Sequence, residues 1–77
     1  MRESDRQKFV DLANKRVSKA LHDIQLIGNL SNKSNYHYTE KDVAKMFKAL
    51  NAELRACRKR FDLALNNKEE SQFSLEG

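Results

Sequence analysis

The sequence predicts an all-α protein, a two-helix antiparallel hairpin that dimerises into a four-helix bundle. Three observations predict this fold. The 77-residue chain is 34% charged and contains two glycines and no proline, a composition typical of long helices and unlike that of a β-sandwich or barrel. Apolar residues recur at helical spacing in two separate stretches. Between them, the polar segment 31–38 is rich in Ser and Asn, as expected of a connection.

The first helix is predicted over residues 4–30. Ser4 and Gln7 have the spacing of a capping box at its start. Gly28, near its end, either permits the close approach of a neighbouring helix or loosens the last turn. The apolar residues of this stretch alternate at spacings of three and four, which places them on one helical face. We call this face the first seam: Val10, Ala13, Val17, Ala20, Ile24 and Ile27.

The second helix is predicted over residues 39–66. Thr39 is a good N-cap residue, and Asp42 follows it at capping-box spacing. Tyr38 and Val43 flank this cap at the two positions of a hydrophobic staple. The apolar face that follows is the second seam: Val43, Phe47, Leu50, Leu54, Cys57, Phe61 and Ala64. Together the two helices make one domain, residues 1–66, and residues 67–77 are predicted to be a flexible polar tail.

A single hairpin of this size buries little apolar surface. Each predicted helix is about 40 Å long, and chains below about 80 residues seldom supply a sufficient core unaided. We therefore expect the chain to bind a second copy of itself and form a homodimer. The alternative is a monomer whose tail completes the core through Phe73 and Leu75.

The residues that carry catalysis or metal binding are sparse. The single cysteine, Cys57, lies on the second seam, where it is predicted to be a small buried apolar side chain. His22 and His37 lack partners at the spacing of metal ligands, and no glycine-rich phosphate loop is present. We therefore expect no enzyme activity, no catalytic residues, no metal and no cofactor. The polar start, the lone thiol and the lack of any apolar run near the ~18 residues of a membrane span predict a cytoplasmic protein with no membrane partner.

Positive charge is concentrated on the second predicted helix, opposite its seam. Residues 41–60 contain seven basic and two acidic side chains. Five of the cations recur at helical spacing along about 27 Å, a length that suits contact with a nucleic-acid backbone, RNA or DNA. A face that serves only solubility, or one that binds an acidic protein, would have the same pattern. We call this face the basic stripe: Lys41, Lys45, Lys48, Arg55 and Lys59.

A second function class is a protein-binding module, such as an inhibitor or sequestering protein. Three leucines lie outside the first seam, and two ring-bearing residues lie in the connection, where they could hold a partner helix or an acidic protein. A third class is a structural subunit whose only activity is assembly. The residues of the protein-binding alternative are Leu12, Leu26, Leu30, Tyr36 and His37.

The chain resembles a known family mainly in its architecture, through its size, its two helices of equal length and the mixture of small and large residues on the seams, and one local motif is also similar. Glu53 and Leu54 are followed by Cys57, Arg60 and Phe61, a pattern similar to the Cys-x-x-Arg-Phe of the Rop (repressor of primer) family of plasmid RNA-binding proteins. The resemblance implies a helical hairpin that dimerises into an antiparallel four-helix bundle. Two features differ, because the connection is longer here and the family binds RNA through its first helices. The resemblance therefore supports the bundle and assigns no RNA-binding residue to this chain.

Overall fold

The chain consists of two α-helices in a computed structural model. The structure describes residues 2–76, and it describes the side chains of residues 3–66. Helix α1 is Arg2–Asn29 and helix α2 is Glu40–Glu76. No strand occurs in residues 2–76, so the all-α fold class is confirmed. The chain divides into two units, Met1–His37 and Tyr38–Gly77, which contain one helix each.

Helix α1 begins two residues before the predicted start. Ser4 lies inside the first turn instead of at the N-cap, so the capping box predicted at Ser4 and Gln7 is wrong. The Gln7 amide Nε2 donates instead to Asp11 Oδ1 at 3.0 Å, one turn further on. Glu3 and Asp5 place negative charge in the first turn, where it interacts favourably with the positive end of the helix dipole.

The connection between the helices is held by its own backbone and by Asn32. Helix α1 ends in two tight turns, in which the amide of Leu30 donates to the Ile27 carbonyl at 3.0 Å and that of Ser31 to Gly28 at 3.1 Å. Asn32 then organises the next turn. Its side-chain Oδ1 accepts from the Ser34 amide at 2.9 Å, and its carbonyl accepts from the Tyr36 amide at 3.0 Å.

Helix α2 begins at the predicted cap. The Asp42 amide donates to Thr39 Oγ1 at 3.1 Å, and the Thr39 amide donates to Asp42 Oδ2 at 2.9 Å. This reciprocal pair is the predicted capping box, which is therefore confirmed. Tyr38 and Val43 are both half-buried, as the predicted hydrophobic staple requires. The cap fixes the first residue of α2 and hence the direction in which every later side chain leaves the helix.

None of the side chains of residues 3–66 is buried. Six of them are half-buried and all six are apolar. Five belong to the two seams, and the sixth is Tyr38 of the staple. The six are Val10, Ala13, Ile27, Tyr38, Val43 and Leu50.

Most large apolar side chains of the seams are about half exposed or more. Ile24 is 50% exposed, Phe61 52% and Leu54 69%. Cys57 is also exposed, so its predicted burial is wrong for the single chain. The reason is that burial of a seam residue depends on what lies against the seam, and spacing along one helix does not determine that.

Neither α1 nor α2 has a stretch of described residues that is both long and apolar enough to cross a membrane. Helix α2 runs to Glu76, ten residues past the predicted end at residue 66. The flexibility predicted for residues 67–77 stays a prediction, because their side chains lie outside the described part of the chain.

Candidate nucleic-acid interface

All five cations of the basic stripe lie on α2. The Thr39 cap places Lys41 in the first turn, and the helix continues without interruption past Lys59. At about 100° per residue, the five side chains fall within an arc of about 80° around the helix axis. The second seam is centred on the opposite side of the same helix. Each of the five is exposed, so the predicted stripe is a row of exposed cations about 27 Å long.

The charges of the stripe are not neutralised by nearby carboxylates. Within residues 3–66, none of the five cations forms an ion pair or a side-chain hydrogen bond. Among residues 40–66 of α2, an ion pair joins Arg58 Nε to Asp62 Oδ1 at 3.2 Å, beside the stripe. Asp42 is occupied by the capping box. The stripe is therefore an accessible row of positive charge, which is the electrostatic requirement for contact with phosphates.

The residues of the protein-binding alternative all belong to the first unit, Met1–His37. Leu12 and Leu26 lie about 40° apart around α1, on the side away from the first seam. Leu30 follows the helix in its terminal turn, and Tyr36 and His37 belong to the connection. All five are exposed: Leu12 by 39%, Leu26 by 50%, Leu30 by 47% and Tyr36 by 49%, and His37 is exposed as well.

Sequence reasoning missed one feature of α1. The guanidinium carbon of Arg6 lies 6.0 Å from the centre of the Phe9 ring, at the outer limit of a cation–π interaction. Phe9 is 50% exposed and lies at the edge of the first seam, about 100° from Val10. The three-residue spacing of Arg6 and Phe9 is the signal that indicates such a pair in a helix.

No metal centre forms among the described side chains, since they include no group of three His, Cys, Asp or Glu residues that could hold an ion. His22 is exposed on α1, and the exposed thiol of Cys57 is free.

Comparison with known proteins found no match. No family model matches the chain, no curated protein matches it, and no solved structure matches it.

Proposed function

We propose that this chain is a small non-enzymatic regulatory or adaptor protein that binds nucleic acid through the basic stripe. One observation carries the proposal: five exposed cations, without partners among residues 3–66, share one face of a continuous helix. A helix with both a cationic face and an apolar face has two separate contact surfaces. One suits phosphates and the other suits a protein helix.

The apolar face is proposed to bind a second copy of the chain. The fold that we propose is an antiparallel hairpin of α1 and α2 that dimerises into a four-helix bundle. The exposure of the seams supports it, because side chains such as Phe47 at 49% and Leu54 at 69% would leave water on association. The large apolar residues outside the second seam, Met46 at 37% and Leu65 at 68%, add to the surface available for such a contact.

The charge of the stripe sets the expected strength of the salt effect. Each phosphate neutralised on B-form DNA changes the logarithm of the affinity by about −0.9 per tenfold increase in salt. Five contacts therefore predict a slope of about −4.5 for one stripe, and about −9 where both copies of a dimer bind one nucleic acid.

The second candidate function is a protein-binding module, an inhibitor or sequestering protein, and one observation favours it. Leu12, Leu26 and Leu30 expose apolar surface away from the first seam, close in sequence to Tyr36 and His37. A partner helix or an acidic protein would bind there, with an affinity that persists as salt rises. A purely structural subunit would instead form larger assemblies and bind neither ligand.

The test replaces two stripe cations and compares them with two cations elsewhere. Lys45→Ala/Lys48→Ala and the control Lys8→Ala/Lys15→Ala each lower the net charge from +4 to +2, and all four lysines are exposed. Alanine preserves the helix, because its helix propensity exceeds that of lysine. The stripe variant should bind nucleic acid more weakly and flatten the salt slope by about 1.8 for each stripe that is bound, whereas the control should keep a slope near that of the natural chain.

Equal salt slopes in the two variants would show that the basic stripe does not contact the nucleic acid. An unmodified chain that binds no nucleic acid at low salt would favour the protein-binding alternative, for which Leu12→Ala/Leu26→Ala is the corresponding variant.

A further inference from the structure

The cations of the basic stripe are unevenly spaced, and the spacing indicates which nucleic acid they fit. Lys41, Lys45 and Lys48 span about 10.5 Å along α2, and Arg55 and Lys59 span about 6 Å. Between the two groups is a gap of about 10.5 Å, from Lys48 to Arg55. The side chain that lies on the arc of the stripe within this gap is the methyl group of Ala52, which is exposed. The stripe is therefore two cationic groups separated by a short apolar interval.

This interval matches the major groove of B-form DNA. That groove is about 12 Å wide, it admits an α-helix, and a phosphate backbone runs along each of its rims. With α2 across the groove, the three lysines would contact one backbone, and Arg55 and Lys59 would contact the other. The flexible stems of Lys and Arg accommodate the small difference between gap and groove. Ala52 would then lie over the opening of the groove, between the two rims.

Duplex RNA and single strands fit the stripe less well. The major groove of A-form RNA is deep and narrow, and proteins recognise its wide minor groove through contacts with 2′-hydroxyl groups, which the methyl group of Ala52 cannot make. Single strands bind through aromatic side chains that stack on bases. The aromatic residues of α2 among the described side chains, Phe47 and Phe61, lie on the second seam, on the far side of the helix.

We propose that α2 binds across the major groove of duplex DNA, with Lys41, Lys45 and Lys48 on one rim, Arg55 and Lys59 on the other, and Ala52 between the rims. This inference rests on the proposed function, because it requires that the stripe contact phosphates. It adds the class of nucleic acid and the orientation of the helix.

The test measures binding of the full chain to three probes of one sequence: a 20-base-pair DNA duplex, the same duplex in RNA, and the single DNA strand. Fluorescence anisotropy at fixed moderate salt should give a DNA-duplex affinity at least tenfold above that of each other probe. Ala52→Glu places a carboxylate between the rims and should weaken binding to the DNA duplex tenfold or more. Its matched control, Ser18→Glu, adds the same charge on α1 and should change the affinity less than twofold.

The outcomes separate the two proposals. A preference for the DNA duplex of less than tenfold, a preference for RNA or for the single strand, or equal effects of the two glutamates would each overturn the groove geometry and leave nucleic-acid binding intact. Failure of all three probes to bind at low salt would overturn the proposed function together with this inference. Circular dichroism of both variants verifies that the helices persist.

Discussion

Truncating Leu54 should weaken self-association of the chain. Leu54 lies in the middle of the second seam and is 69% exposed, the largest exposed fraction among the large apolar side chains of residues 3–66. Full burial of a leucine stabilises by about 1.5–3 kcal/mol, so about 1–2 kcal/mol remains to be gained when a second copy covers this side chain. A symmetric dimer contains the residue twice, which raises the total to about 2–4 kcal/mol.

Leu54→Ala removes most of that gain. Because 1.4 kcal/mol corresponds to a tenfold change, we expect the dimer dissociation constant to rise about tenfold at least. Sedimentation equilibrium over a dilution series, from micromolar protein downwards, measures this constant directly.

Leu63→Ala is the matched control for this measurement. Leu63 is 50% exposed and lies about 40° from Lys41 around α2, on the side of the basic stripe. The same chemical change at this position should leave the dissociation constant unchanged. Equal weakening by the two substitutions, or a natural chain that stays monomeric at micromolar concentration, would refute burial of the second seam by a second copy.

Three further predictions concern single positions. Thr39→Ala should lower the free energy of unfolding by about 1 kcal/mol, whereas Thr39→Ser, which keeps the hydroxyl, should cost far less; equal thermal melts would contradict a stabilising capping box. Gly28→Ala should raise the free energy of unfolding by about 0.5–1 kcal/mol and the melting temperature with it, because alanine favours the helix and its Cβ meets nothing within 4 Å. A loss of association in that variant would instead reveal a neighbouring copy close to Gly28. The exposed Cys57 thiol should react more slowly with a labelling reagent as protein concentration rises through the association range, and a constant rate would exclude burial of the second seam.

Local rules predicted the parts of the fold that depend on a few neighbouring residues. The Thr39 cap was predictable because both of its hydrogen bonds close within three residues, between side chains suited to them. The start of α1 could not be predicted, because Ser4 is compatible with an N-cap and also with the first turn of a helix that begins at Arg2. Exposure of Cys57 could not be predicted for a different reason. Spacing identifies the face on which a residue lies, but the presence of a covering surface depends on contacts beyond its own helix.

In the candidate site, too, some features could be predicted from the sequence and others could not. Helical spacing predicted that Lys41, Lys45 and Lys48 share an exposed face with Arg55 and Lys59, and the described side chains agree. The absence of ion pairs within that face was not predictable, since it depends on rotamers and on competing partners such as the capping box for Asp42. Spacing by itself also could not select a ligand, because a solvated lysine face and a phosphate-binding face use the same residues.

The basic stripe and the second seam lie on one uninterrupted helix, so an insertion or deletion within α2 changes both faces at once. One residue inserted between Lys48 and Arg55 would rotate everything beyond it by about 100°, moving Arg55 and Lys59 off the stripe and Phe61 off the seam together. A seven-residue insertion would restore both faces to within about 20°, but it would lengthen the gap by about 10.5 Å. Insertions in the connection before Thr39 leave these relations unchanged. Natural or engineered length variation should therefore be confined to the segment that precedes the cap, and α2 should vary by substitution alone.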